Sequence, residues 1–138
     1  MPALHRLIAS EWLRRLALLA LCAAYLQGGW NKLGDFASAV AEMQHFGLAP
    51  APPLAALVIA LELGASLMIV SGFGRWLAAL ALAAFTLAAS LVANRYWTLA
   101  AGHERFMMAN AFYEHLGLVG GFLLVAWMDL QPRKESKP

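Results

Sequence analysis

Charge is scarce in this chain. Of its 138 residues only 13% are Asp, Glu, Lys or Arg and 62% are hydrophobic, against about 25% and about 45–50% in an ordinary soluble domain. Cysteine is scarcer still: Cys22 stands alone, which excludes an internal disulfide and any C-x-x-C thiol or zinc motif, and reads as a small apolar packing residue. Also missing are a bis-histidine haem pair, an Fe–S cysteine set, a phosphate-binding glycine loop and a Ser/His/Asp arrangement. The net charge of +2 is too small to suggest a nucleic-acid partner. His103, Glu104, Met107, Met108 and His115 gather in one region, but their spacing matches no metal-ligand motif, so no metal site is expected.

What the chain has in excess is apolar sequence. Its mean hydropathy is +0.64, more than an aqueous core of this size can absorb, and lipid is therefore the expected solvent. A bilayer core about 30 Å thick takes about 20 helical residues, and four stretches qualify, at about 12–31, 53–72, 76–97 and 108–129. Trp12, Trp30, Trp76, Trp97 and Trp127 all fall near span ends, where indoles prefer the headgroup level. The opening residues have the basic-then-apolar layout of a secretory signal, but the apolar run continues to Trp30 without a small-residue cleavage site, so an uncleaved anchor is expected. Arg6, Arg14, Arg15, Arg75, Arg133, Lys134 and Lys137 fall on one side of this layout and Lys32, Arg95 and Arg105 on the other, which puts both termini in the cytoplasm.

The expected fold is all-α: a single membrane domain over residues 1–138, an integral four-helix bundle with a cytoplasmic tail at 130–138, multi-pass in a bacterial inner membrane. In the first outer loop Phe36, Val40 and Met43 recur at helical spacing, Asp35 is placed to cap, and Gly47 and Pro50 are placed to stop, which predicts a short interfacial helix. Gly117 and Gly121 form a G-x-x-x-G face, read first as packing within the chain and second as a homo-oligomer contact.

Against this background a carboxylate in L-V-I-A-L-E-L-G-A-S-L-M-I-V, residues 57–70, demands a reason. Glu62 lies roughly 14 Å into the membrane at 1.5 Å per residue, and a charge at a helix centre costs at least about 2.5–3.5 kcal/mol. Either the group is neutral or it has a partner. Lys32, at the outer end of helix 1, has a stem long enough to turn back toward it. Gln27 and Asn31, one turn apart, share that face. On helix 4, Asn110 and Glu114 are spaced i and i+4, with His115 about 100° away. Together these residues read as a polar pocket opening outward, in which Glu62 does the proton chemistry and Lys32, Asn31, Gln27, Asn110, Glu114 and His115 hold a ligand. In the competing reading Lys32 reaches only headgroups and Glu62 fixes helix packing.

The segments G-G-W-N-K-L at 28–33, F-G-L-A-P at 46–50, A-L-E-L-G-A-S-L-M-I-V-S-G-F at 60–73, R-Y-W at 95–97 and N-A-F-Y-E-H-L-G-L-V-G-G-F-L-L at 110–124 make the chain resemble the DoxX family over residues 16–129. The resemblance implies a four-helix inner-membrane protein associated with membrane redox systems, the family being named after a subunit linked to a thiosulfate:quinone oxidoreductase. Lys32, Glu62 and Asn110 match recurring polar positions of that family. Helix 4 departs from it: many relatives resemble F-W-K-N where this chain has F-Y-E-H at 112–115, so Glu114 replaces a lysine and reverses the local charge. The resemblance implies the membrane subunit of a redox system that binds quinone or quinol and works with a partner oxidoreductase, the chain itself encoding no electron carrier. The alternative is a membrane scaffold or small-solute carrier without redox chemistry.

Overall fold

The computed structural model describes residues 1–132; Arg133, Lys134 and Lys137, counted above toward the cytoplasmic side, lie outside the described residues. Every regular element described is helical: α1 (Pro2–Ile8), α2 (Glu11–Gly34), α3 (Phe36–His45), α4 (Ala51–Ser71), α5 (Arg75–Ala93), a 3-10 turn (Tyr96–Thr98) and α6 (His103–Asp129). The chain divides into two compact units, Met1–Phe73 and the part from Gly74 onward.

In the first unit, Ser10 separates two helices where the sequence suggested one continuous anchor. Its hydroxyl donates to Leu7 O at 2.6 Å, while its Oγ accepts from Leu13 N at 3.2 Å, so one side chain both closes α1 and N-caps α2. Asp35 then starts α3 by accepting from Ser38 N at 3.1 Å. Ala39 and Met43 of α3 pack with Ala51, Ala55 and Ile59 of α4, and Val40, Leu54, Val58 and Leu63 surround that core. Phe36, expected on the same stripe, is instead 42% exposed; the small Ala39 lets α3 settle against α4, and that contact sets the buried side. At its far end α4 finishes on Gly72, whose N–H bonds Met68 O in a left-handed cap.

The second unit is an antiparallel pair. Asp129, ending α6, accepts at 3.0 Å from the backbone N–H of Trp76 in the first turn of α5, satisfying one of that helix's orphan donors. At the opposite end Asn94, just past α5, meets His115 of α6. The buried positions of α5 are Ala78, Ala79, Leu82, Ala83, Thr86 and Ser90, mostly small residues that allow the close approach membrane helices need.

Three helical stretches are long and apolar enough to cross a membrane: Ala51–Ser71, Arg75–Thr98 and His103–Asp129. Among the described residues α2, the first of the four expected spans, does not meet that measure. With 24 residues, α2 is about 36 Å long, enough to span, but Glu11, Arg14 and Arg15 at one end and Gln27, Asn31 and Lys32 at the other dilute its apolar stretch. The last span also begins earlier than expected, α6 taking His103, Glu104 and Met107 into its first turns.

Candidate functional site

The site is built where α2 passes the middle of α4. Lys32 sits in the last turn of α2 and Glu62 near the centre of α4. Lys32 Nζ donates to Glu62 Oε1 at 2.9 Å, with side-chain exposures of 22% and 6% respectively. The charge in the middle of an apolar helix thus has an opposite charge beside it, and the lysine is held by a carboxylate.

Two glycines make the approach feasible. A Cβ on Gly28, one turn before Lys32, would stand 3.0 Å from Glu62 Oε2 and 3.6 Å from Lys32 Nζ. One on Gly29 would stand 2.8 Å from Leu63 Cδ2 and Cγ, closer than Cβ contacts normally come. Gly28 leaves room for the carboxylate and Gly29 lets the two backbones close, so the doublet is a notch in α2 fitted to Glu62 and Leu63.

From the lysine a groove of about 450 Å³ opens between the end of α2 and α3, lined by Trp30, Asn31, Lys32, Gly34, Asp35, Ser38, Ala39 and Glu42. Its chemistry is mixed: an indole face, an amide, a hydroxyl, an ammonium and two carboxylates. Asn31 is exposed and lines the groove; Gln27, one turn earlier, is exposed and is not among the lining residues. Trp30, Asp35, Ser38 and Glu42 were not assigned to a site from sequence. For Asp35, Ser38 and Glu42 the signal was the 3–4-residue spacing from Lys32 through the helix break at Asp35, visible only once α3 is known to fold back beside α2.

The remaining predicted site residues, Asn110, Glu114 and His115, belong to the second unit. Asn110 and Glu114 are exposed on α6 and His115 is half-buried. Asn94 Nδ2 lies 2.7 Å from His115 Nδ1 and 3.2 Å from Ser90 Oγ. Beside it Tyr96 and Tyr113 share a hydroxyl contact of 3.2 Å, and Tyr96, Trp97 and Phe112 stack edge-to-face with centroids 5.3–5.6 Å apart. Among the described residues no group of three or more His, Cys, Asp or Glu is placed to hold a metal ion.

Three apolar helices of membrane-spanning length among the described residues define a multi-pass helical membrane protein. The chain belongs to the DoxX family, whose model matches residues 15–95. It is similar to the inner membrane protein YphA of Escherichia coli strain K12, with 30% identity over 112 residues, 80% of this chain and 79% of that protein. No solved structure matches it. Family and spans together make it a multi-pass inner-membrane protein. The matched segment contains Lys32 and Glu62 but stops short of Asn110, Glu114 and His115.

Proposed function

We propose that the groove beside the Lys32–Glu62 pair binds the head group of a quinone or quinol, and that the protein serves as the membrane subunit of a redox system. The observation that carries this reading is the pair itself, an ammonium and a carboxylate 2.9 Å apart, of which Lys32 lines a groove of about 450 Å³ while Glu62 stands behind it, outside the lining. The donors present suit the ligand: a quinone head offers two carbonyl acceptors and no charge, and Lys32, Asn31 and Ser38 supply hydrogen-bond donors beside the apolar face of Trp30. When bound, the quinone supplies the two-electron chemistry. Lys32 orients it by donating to one oxygen. Glu62 would take or return one of the couple's two protons by way of Lys32, and the other would exchange with solvent at the open side of the groove. Electrons pass to or from a partner oxidoreductase bearing flavin, haem, metal or reactive sulfur.

The same reading takes α2 as a fourth span, both termini as cytoplasmic and α3 as lying at the outer surface, so that the groove opens outward. A second reading is supported by Gly29. Its 2.8 Å clearance to Leu63 makes the notch a packing lock as well, and the pair then serves a scaffold or small-solute carrier. Quinone extracted from protein purified in mild detergent separates the two. Near-stoichiometric quinone in wild type that falls in folded Glu62→Gln and Lys32→Met variants supports binding; none in any, or equal amounts in all three, rules out this site.

A further inference from the structure

We infer that α1 is a surface anchor that lays its apolar face into the anionic leaflet of a phospholipid bilayer, ahead of the first long helix. No residue of α1 is buried. Leu4, Leu7 and Ile8 are 50%, 62% and 59% exposed, and at about 100° per residue they fall within an arc of about 100°, with Arg6 nearly opposite. Seven residues are too few for a helix to be stable by itself in water; a covered apolar face supplies what its length does not.

The charges around the helix identify the cover. Arg6, Arg14 and Arg15 face a single nearby acid, Glu11, which lies 3.4 Å from both Arg14 and Arg15. The segment is therefore basic in sum, as suits anionic headgroups rather than an acid-poor apolar protein surface. Trp12, 77% exposed, lies two residues past the Ser10 cap, where an indole takes the headgroup level. Continuity with a chain that resides in a membrane makes the lipid surface the adjoining phase. An apolar face opposite arginine, next to an interfacial tryptophan, is the pattern of a helix lying in the interface plane. This inference is independent of quinone binding.

The test uses the full-length protein in nanodiscs of phosphatidylcholine alone or with phosphatidylglycerol. Leu4→Cys, His5→Cys, Arg6→Cys, Leu7→Cys and Ile8→Cys are spin-labelled one at a time, with Cys22 left in place because it is fully buried. Accessibility to oxygen and to a water-soluble nickel chelate is then compared. The expected result is an oxygen-to-nickel ratio several-fold higher at positions 4, 7 and 8 than at 5 and 6, more pronounced with phosphatidylglycerol. Equal ratios at all five positions would overturn the inference by placing α1 in water. Labels at 4, 7 and 8 shielded from both reagents would overturn it by giving the face to a protein contact. A pattern indifferent to lipid charge would overturn the anionic part.

Discussion

At the scale of single residues the account rests on Glu62, which is 4% exposed and gains its tolerance from one ammonium. Removing a partner from such a pair leaves an uncompensated charge, and Lys32→Met is expected to cost about 3–5 kcal/mol of stability. Glu62→Gln should cost less, because the freed lysine, already 22% exposed, extends to headgroups. Detergent-denaturation midpoints of the two variants check the order; equal midpoints for Lys32→Met and wild type would mean the pair is not desolvated. The glycine doublet gives a second expectation. Gly29→Ala, forced to within 2.8 Å of Leu63, should lose about 1–3 kcal/mol by overpacking, whereas Gly34→Ala, with nothing within 4 Å, should be neutral or slightly stabilising. The pairing of Lys32 with Glu62 is legible in sequence because a carboxylate in mid-span has few partners within reach. The notch is not, since G-G near a helix end reads equally well as a fraying terminus, and only the facing Leu63 shows which it is.

Helices carry their start signals in the sequence more plainly than their partners. Asp35 announces α3 and caps it, yet periodicity gives a stripe and not the neighbour that covers it, so only the packing shows Met43 against α4 and Phe36 exposed. Ser10 is a cap as good as Asp35, and the span expected from about residue 12 begins beside it, but nothing in the basic-then-apolar run marked α1 as a helix of its own. Composition also undervalues α2, whose apolar middle is flanked by the charges that hold its ends in place. If α2 crosses the bilayer with α4, α5 and α6, both chain ends lie on the same side; with those three alone they lie on opposite sides. Reporter fusions at each end should both read cytoplasmic, with a fluorescent protein bright and alkaline phosphatase inactive at the C-terminal end. An active phosphatase there, with the N-terminal end cytoplasmic, would remove α2 from the set of spans.

For the molecule as a whole, scarcity of charge was enough to name the solvent, because 62% hydrophobic residues in so short a chain leave no other medium. The ligand is harder to read. The groove proposed to bind it depends on where α3 returns beside α2, a tertiary fact with no local pattern, and Trp30 therefore looked like a belt residue while it also lines the groove. In the second unit Asn94 and Ser90 look like ordinary helix-end polars until His115 is found against them. The same tryptophan supplies the most direct test of quinone binding. In a variant whose other four tryptophans are replaced by phenylalanine, Trp30 fluorescence is titrated with a short-chain quinone in mild detergent. Saturable quenching that disappears in the folded Lys32→Met variant and persists in Gly117→Ala, a position outside the groove lining where an added Cβ meets nothing within 4 Å, is the predicted result. Quenching that rises without saturation and is identical in all three proteins would contradict it, leaving the Lys32–Glu62 pair as a lock between helices.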